Sequence, residues 1–238
     1  MRFWIAILMV LICFGSFAQT QDSYEYQKEF TWGINKNTFG GLIGGFTFKK
    51  ARKLENNRIL QTYGLEIVNI KHPQEVRKPA LLTNNLFIPG KINYLYSFRL
   101  QYGYDLILFK KAPQKGAEIK AVFAAGPSLG LISPYYVEYQ PDNSNISNFA
   151  PYKEEILISS IYGPGRLFQG IGDSKFNLGF NVKAAINFEL GTFKDQVTGF
   201  EAGFLLDAYT KKTDFLLNNT PYSVFPTLFL TVFYGSRK

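Results

Sequence analysis

The sequence predicts an all-β protein, an eight-stranded antiparallel transmembrane β-barrel with short periplasmic turns and longer extracellular loops. Three observations lead to this fold class. Long segments alternate apolar with polar residues, the N-terminus has the features of an export signal, and the connections between alternating segments differ in length in a regular order. Together they favour a sheet closed on itself, because an open sheet edge cannot be satisfied in lipid.

The clearest alternating segment runs from Ile92 to Phe109 and has eighteen residues. Strands in globular proteins usually have about 3–10 residues. One set of alternate positions is entirely apolar or aromatic: Ile92, Tyr94, Tyr96, Phe98, Leu100, Tyr102, Tyr104, Leu106 and Leu108. The other set includes Arg99, Gln101 and Asp105, so a strand here has one apolar and one polar face. Such a band of tyrosine, phenylalanine and leucine is typical of the lipid-facing side of a barrel with a polar interior.

The composition excludes a helical membrane protein. Hydrophobic residues make up 46% of the 238-residue chain, yet the mean hydropathy is only −0.06, because apolar and polar residues alternate. Beyond the N-terminal segment, no apolar run approaches the ~20 residues that a spanning helix needs. A membrane barrel or a β-sandwich remains, and the aromatic share of 17% fits rings placed at both rims of a barrel.

Residues 1–18 have the pattern of a cleaved secretory signal peptide. Arg2 supplies the positive charge, Ile5 to Phe14 the apolar region, and Ser16 to Ala18 a small-x-small cleavage site. We expect cleavage after Ala18, which leaves residues 19–238 as one barrel domain. The only cysteine, Cys13, lies inside the signal, so the mature chain depends on its hydrogen-bonded ladder and its packing instead of disulfides.

Three strands are predicted before the longest one. The first has Phe30, Trp32 and Ile34 at alternate positions and is followed by a turn cluster at residues 35–38. The second, residues 39–48, contains four glycines, which indicate a curved strand that takes up little volume inside. A basic turn at residues 49–53 leads to the third strand, residues 58–70.

Four strands follow the longest one, which makes eight. The fifth covers residues 117–132, and the sixth, residues 175–193, repeats the apolar pattern of the longest strand. In the seventh, Phe204 and Leu206 oppose Gly203 and Asp207, and the eighth covers residues 224–235. The recurrence makes chance alternation implausible, and an even number of strands is usual for bacterial outer-membrane barrels.

The predicted connections alternate in length. Those after the second, fourth and sixth strands are short, whereas those after the third, fifth and seventh are longer, at residues 71–90, 133–173 and 211–222. Outer-membrane barrels have short periplasmic turns, so we expect both termini to face the periplasm. The short connections concentrate basic residues such as Lys49, Lys50, Arg52 and Lys53, which can pair with anionic headgroups. Outer-membrane lipids are therefore expected partners.

Nine charged residues fall at strand positions that face the predicted interior. They are Glu66, Arg99, Asp105, Glu118, Lys120, Lys183, Glu189, Glu201 and Asp207. Buried charges are tolerated only when they are paired. Because side chains just fill the interior of an eight-stranded barrel, these residues predict a salt-bridge network in a narrow lumen. The alternative is a path for protons or small solutes.

The sequence predicts no catalytic, cofactor or metal site. The only histidine, His72, starts a loop without a neighbouring serine and is expected to be solvated. The mature chain has no cysteine and no EF-hand spacing, which argues against zinc and calcium sites. Residues 163–166, GPGR, lack the context of a phosphate-binding loop and are expected to form an exposed turn. The basic rim accounts for the net charge of +8, and without a recognition motif nucleic-acid binding is not predicted.

The longest loop, residues 133–173, is the predicted contact surface. A loop of this length in a compact fold is usually functional or mobile. It carries five aromatic side chains that could contact a partner: Tyr135, Tyr136, Tyr139, Phe149 and Tyr152. The alternative is that these rings pack on the barrel rim.

With these features in place, the chain resembles the small outer-membrane β-barrel proteins of Gram-negative bacteria, and most of all the PorT-type and OmpA/OmpX-like barrels of the Bacteroidota. The likeness covers nearly the whole mature chain as a pattern. The segments that carry it are Tyr94 to Phe109, the KAPQKG turn, Phe123 to Leu131 and Leu228 to Lys238. The resemblance implies an outer-membrane location and a porin-family type of barrel.

Four hypotheses about function follow. The first is a non-enzymatic integral barrel that binds through its loops or assists envelope assembly or protein secretion, with envelope or secretion proteins as partners. The second is a small channel, and the third an outer-membrane lipid hydrolase or acyltransferase. The fourth, a soluble secreted barrel of lipocalin type, requires the apolar residues to face inward, and the direction of the strand tyrosines distinguishes it from the others.

Overall fold

The structure is a computed structural model that describes residues 27–40, 43–54, 58–110, 116–141, 146–166, 169–190, 196–217 and 219–238. The predicted signal peptide lies outside the described residues. So do the turns at residues 111–115 and 191–195 and one of the four glycines of the second predicted strand, Gly41.

Eight strands form a closed antiparallel ring. They are β1 (Lys28–Asn37), β2 (Gly45–Lys53), β3 (Ile59–Ile70), β4 (Asn93–Phe109), β5 (Ala117–Pro134), β6 (Lys175–Leu190), β7 (Gln196–Thr213) and β8 (Tyr222–Arg237). Each strand pairs with the next in the chain, and β1 pairs with β8. The predicted all-β, eight-stranded antiparallel barrel is confirmed. No helix in the described part of the chain has the length and apolar content to cross a bilayer.

The seam between β1 and β8 completes the ring. It runs in register from the pair Glu29 and Arg237 to the pair Asn37 and Phe229. Next to the pair Glu29 and Arg237, the backbone N–H of Lys28 donates to the carbonyl of Lys238 at 2.8 Å. Because both edges of β1 and of β8 are paired, the barrel leaves no open strand edge.

The two faces of the strands separate sharply. In β4, the side chains of Arg99 and Asp105 are buried inside, each about 2% exposed, whereas Leu100 is 56% exposed on the outside. The same alternation surrounds the barrel with exposed apolar side chains, which we call the outer belt. Every strand contributes to it, for example through Trp32, Phe48, Tyr63, Leu100, Phe123, Phe180, Phe204 and Leu228.

Several predicted boundaries are wrong. The basic segment at residues 49–53 lies in β2, where it pairs with β3 through residue 53 and with β1 through residue 52, instead of forming a turn. At its other end β2 begins at Gly45 and not at residue 39. Strand β7 extends to Thr213, into the segment predicted as loop. Pairing on both sides keeps a segment in the sheet whatever its local composition.

The long connections at one end of the barrel are largely ordered. We call the described parts of residues 71–92, 135–174 and 214–221 the cap. The longest loop was predicted to be irregular, but it contains a three-stranded sheet of Tyr136–Tyr139, Asn148–Pro151 and Ile161–Pro164. The loop after β3 contains a two-stranded hairpin, Lys78–Pro79 with Leu86–Phe87.

Two apolar clusters stabilise the cap, and one of them joins it to the barrel. One cluster lies within the cap and includes Phe87, Tyr135, Val137, Tyr152 and Ile161. The other, which we call the apolar layer, fills the lumen at the cap end. It combines inward side chains of four strands with two cap residues: Val68, Ile70, Leu95, Tyr209, Phe215, Leu216 and Phe225.

Candidate functional site: the lumen charge network and the cap

The structure places all nine predicted lumen residues inside the barrel. They come from five strands, β3 to β7, and all are buried. Each makes at least one ion pair. The period of two along each strand is sufficient to bring them together, because every inward position of a narrow barrel lies close to the same axis.

Arg99 of β4 organises the part of the network next to the apolar layer. Its Nε and Nη2 donate to the two carboxylate oxygens of Asp207, at 3.0 and 2.5 Å, and its Nη1 donates to Glu66 Oε2 at 3.1 Å. Ser128 also donates to Asp207, at 3.3 Å. The two-point contact fixes the orientation of the guanidinium plane, which a lysine could not do.

Two lysines continue the network towards the end of the barrel that holds the chain termini. Lys183 Nζ lies 2.7 Å from Glu66 Oε1 and 2.6 Å from Glu201 Oε1. Lys49 Nζ lies 3.3 Å from Glu201 Oε2 and 2.6 Å from Asp105 Oδ2. Acids and bases therefore alternate in one chain of seven residues: Asp207, Arg99, Glu66, Lys183, Glu201, Lys49 and Asp105.

A second cluster lies near the chain termini. Lys120 Nζ is within 3.2 Å of Glu29 and 3.1 Å of Glu118, and lies 3.6 Å from Glu189. Arg237 also bonds Glu189 and lies 3.3 Å from Glu29. This cluster ties the seam strands β1 and β8 to β5 and β6 on the opposite side of the ring.

Sequence reasoning missed three members of the two clusters: Glu29, Lys49 and Arg237. Lys49 was assigned to the basic turn, and Arg237 was placed beyond the end of the last strand, among the rim residues. The signal was nevertheless present. Each of the three continues the polar phase of its strand, next to Phe30, Phe48 and Ser236 respectively, so a longer strand assignment would have placed them inside.

A small polar cavity separates the two clusters. Its volume is about 30 Å³, and Glu29, Glu66, Lys183, Asn187 and Glu201 are among its lining residues. That volume holds about two water molecules. No group of three histidine, cysteine, aspartate or glutamate side chains in the described residues could hold a metal ion. The lumen geometry is that of a packed, ion-paired interior.

The predicted loop surface divides into two parts. Tyr135 and Tyr152 are buried in the cap cluster, at 2% and 5% exposure, so their assignment to a contact surface is wrong. They pack because the loop folds into a sheet with its own core. Tyr136, Tyr139 and Phe149 are half-buried and remain accessible in part. The more exposed apolar side chains of the cap, including Leu81, Leu82, Leu157 and Ile158, were not predicted.

His72 is packed rather than solvated. Its ring lies 5.7 Å from that of Tyr222 at an interplanar angle of 24°, and its Nδ1 accepts a hydrogen bond from the backbone N–H of Gln74 at 3.2 Å. The expectation of a solvated ring is therefore wrong, because the cap covers this position. Glu75 accepts a hydrogen bond from the backbone N–H of His72 at 2.9 Å, and its other carboxylate oxygen pairs with Lys91.

Segment 163–166 is part of the cap sheet and not an isolated turn. Gly163 and Pro164 end the strand Ile161–Pro164, which pairs with Tyr136–Tyr139. The backbone N–H of Gly165 donates to the carbonyl of Tyr136 at 2.7 Å. The segment is thereby held in place and presents Arg166 at the edge of the cap.

Comparison with solved structures finds small outer-membrane proteins. The chain is similar to Ail, the attachment invasion locus protein of Yersinia pestis, with 10% identity over 90% of this chain and 99% of that one, at a TM-score of 0.40. A structure of Ail in complex with the heparin analogue sucrose octasulfate gives a TM-score of 0.41. Neisserial surface protein A has 12% identity over 90% of this chain and 97% of that one, at a TM-score of 0.36.

No protein-family model and no curated protein sequence matches the chain. At 10% and 12% identity, the structural likeness concerns the architecture and not the function.

Proposed function

We propose that the protein is a non-enzymatic integral barrel of the outer membrane of a Gram-negative bacterium, exported by a signal peptide that is cleaved after Ala18. It acts through its cap, either by binding a partner or as an accessory in envelope assembly or secretion. The observation that carries the proposal is the outer belt around a closed, ion-paired ring. The Bacteroidota and PorT-like assignment remains part of this proposal and rests on the sequence resemblance.

The outer belt supports a membrane location on energetic grounds. Monomeric soluble proteins rarely expose apolar patches larger than a few hundred square ångströms. Here exposed Phe, Leu, Ile, Val and Tyr side chains occur on all eight strands, while the nine charged residues of the predicted lumen set are buried inside the ring. This facing is the reverse of a soluble lipocalin-type barrel, in which the strand tyrosines and phenylalanines would be inside.

Aromatic pairs support the same assignment. Trp32 and Tyr234 pack edge to face across the seam, with ring centroids 6.2 Å apart. Tyr63, Tyr102 and Tyr104 form a second outward cluster, in which Gln61 donates to the Tyr102 hydroxyl at 2.8 Å. Amphipathic rings of this kind are enriched where lipid tails meet headgroups.

Extraction of the native protein tests the location. Cells that express the full chain are separated into inner and outer membranes, and the outer membranes are washed with alkaline carbonate before detergent is added. We expect the protein to stay in the membrane until detergent releases it, and to run as a compact species on an unheated gel. Recovery in the carbonate wash would contradict the proposal.

The lumen geometry argues against the channel alternative. The apolar layer fills the cap end of the interior, and the charged residues below it are paired. We therefore expect the protein to be electrically silent in a planar bilayer, whereas discrete ion currents at neutral pH would favour a channel. The matched sample is an equal amount of heat-unfolded protein, which controls for leaks caused by detergent.

The cap supports a binding role because it combines a hydrogen-bonded sheet with exposed apolar side chains. Leu81 and Leu82 lie at the tip of its hairpin, and Leu157 and Ile158 on the neighbouring loop are also exposed. The half-buried rings of Tyr136, Tyr139 and Phe149 add partly accessible aromatic side chains to the cap. Pull-down from detergent-solubilised membranes with the wild type and with Leu81→Ser/Leu82→Ser tests the role. A partner that is lost only with the variant supports it, and identical recovery contradicts it.

A further inference from the structure

A pocket of about 380 Å³ lies on the outside of the barrel wall, where β3, β4 and β5 enter the cap. Its floor consists of outward side chains. Asn69 of β3 is paired in register with Tyr96 of β4, and Tyr94 of β4 is paired with Ser133 of β5. Loop residues Tyr136, Gly165 and Gln169 overhang the floor. The pocket is thus separate from the lumen network and lies next to the outer belt.

The charge of the pocket is strongly positive. Lys71, Arg77, Lys91 and Arg166 line it, and no aspartate or glutamate is among its lining residues. Lys91 is neutralised by its ion pair with Glu75 and lies 4.2 Å from the centroid of the Tyr94 ring. The other three cations have no carboxylate within ion-pair distance in the described part of the chain. A ligand with one or more negative charges would complement them.

The floor offers two further recognition features. Tyr94 and Tyr96 lie side by side, with ring centroids 5.8 Å apart and an interplanar angle of 24°. The side-chain oxygen of Asn69 is buried and accepts no hydrogen bond from any described residue. A buried acceptor without a donor is unfavourable, so it favours a ligand that brings a hydroxyl or amide group. The faces of the two tyrosine rings, the Asn69 oxygen that lacks a hydrogen-bond donor, and the three cations without a carboxylate partner together fit an acidic sugar.

The position of the pocket indicates that the sugar belongs to a lipid headgroup. On β4, the first strongly exposed belt residue is Leu100, four residues beyond Tyr96, which is about 13 Å along the strand. Phe98 lies between them on the same outward face. The pocket therefore opens at the boundary between the belt and the cap, at the level of lipid headgroups.

We propose that this pocket binds the phosphorylated sugar headgroup of a glycolipid in the outer leaflet, with Lys71, Arg77 and Arg166 on the phosphate and the Tyr94 and Tyr96 rings and Asn69 on the sugar. The inference rests on the proposed membrane location. It adds a ligand class and a site to that location, and it predicts that the cap is anchored to the membrane surface on this side.

Two glycines shape the wall that carries Arg166. A Cβ on Gly165 would lie 2.6 Å from the Cβ of Tyr136, so no other residue fits there without moving the wall. Gly170 has a φ of 91°, in the left-handed region, and a Cβ there would meet the Tyr136 ring at 2.9 Å. These glycines let the loop pack closely against Tyr136, which keeps Arg166 among the lining residues of the pocket, where its guanidinium lies 5.1 Å from the centroid of the Phe149 ring.

The test uses the folded full chain in lipid nanodiscs of phosphatidylcholine. Lipid A, a doubly phosphorylated, acylated glucosamine disaccharide, is added at a few mole per cent, and native mass spectrometry counts the copies that stay bound. We expect preferential retention of lipid A over phosphatidylglycerol, an anionic lipid without sugar. Lys71→Gln/Arg77→Gln removes two of the unpaired cations, and we expect it to weaken retention roughly tenfold or more.

The matched control is Lys50→Gln/Arg52→Gln, which removes two outward cations near the other rim of the barrel. We expect it to leave lipid A retention unchanged. Equal losses in both variants, or equal retention of phosphatidylglycerol, would overturn the proposal of a specific sugar site. Equally strong binding of the same disaccharide bisphosphate without acyl chains would overturn its lipid source. Failure to enter nanodiscs at all would instead refute the membrane location, so the two failures are distinguishable.

Discussion

At the scale of single residues, Arg99 has the most demanding environment in the barrel. It is buried between Asp207 and Glu66, with three hydrogen bonds to their carboxylates. Removing one partner from a buried ion pair is more harmful than removing the whole pair, because the remaining charges stay desolvated. Arg99 therefore contributes to stability chiefly by neutralising two buried carboxylates, those of Asp207 and Glu66.

This dependence predicts the effect of Arg99→Met. We expect the variant to lose about 3–5 kcal/mol of unfolding free energy, measured by urea titration of the protein folded in lipid vesicles. The triple variant Arg99→Met/Asp207→Asn/Glu66→Gln removes the stranded charges as well and is expected to recover part of that loss. A single variant as stable as the wild type would show that the interior is hydrated enough to solvate both acids.

Lys91 in the cap gives a prediction for pH. Burial lowers the pKa of Lys91 below its ordinary value of 10.5, and the neighbouring Glu75 only partly opposes this. Between its folded pKa and 10.5 the unfolded chain binds more protons than the folded one, so stability rises with pH in that window. We expect the melting temperature of the cap to rise from pH 7 towards pH 10, and Lys91→Met to remove that rise. Above about pH 10, the raised pKa of Tyr135 acts in the opposite direction.

At the scale of elements, the seam between β1 and β8 contains a close backbone approach that only a glycine allows. A Cβ on Gly235 would lie 2.1 Å from the carbonyl oxygen of Phe30 in the adjacent strand. We therefore expect Gly235→Val to destabilise the barrel by about 1–3 kcal/mol and to reduce the compact band on an unheated gel. Val232→Ile, at an exposed position of the same strand, is the control and is expected to leave that band unchanged.

How much was predictable differs between elements. The centres of the barrel strands follow from alternation, because a period of two over many residues has no other simple explanation. Their ends do not, since residues 49–53 read as a polar turn and lie in β2 only because two neighbours pair with them. The cap sheet was missed because each of its strands has four residues and two of them end in proline. These strands are defined by pairing with other segments of the loop, and the local sequence pattern does not predict that pairing.

The same distinction applies to the candidate sites. The nine lumen residues could be proposed from the alternation of inward and outward positions along each strand. Placing Lys49 and Arg237 in the lumen also required the correct ends of their strands. The pocket on the outside of the barrel wall could not be proposed at all, because Arg166 lies far from Asn69 and Arg77 in the sequence and meets them only through the folded cap.

At the scale of the whole molecule, the outer belt distinguishes a membrane barrel from a soluble one. Leu228 of β8 is 61% exposed in the middle of that strand's outward face. In a bilayer, Leu228→Arg is expected to cost about 2–4 kcal/mol of unfolding free energy. In water, an exposed arginine would be close to neutral.

The control for this measurement is Leu81→Arg in the cap, where the leucine is 78% exposed and lies away from the barrel strands. We expect it to change the unfolding free energy by less than about 0.5 kcal/mol. Urea titration in vesicles gives both values. If the two substitutions have the same small effect, the belt does not contact hydrocarbon.

The seam also constrains the order of assembly. Neighbouring strands elsewhere in the ring are joined directly along the chain, so each hairpin can form as soon as its own residues are available. Asn35 and Thr231, which are hydrogen-bonded across the seam, are 196 positions apart. Joining partners so distant requires the seven hairpins to be in place first, because loop closure is unfavourable until the intervening chain is compact. The last kinetic step should therefore be the meeting of β1 and β8, and an incomplete intermediate would expose two unpaired edges to any machinery that guides insertion.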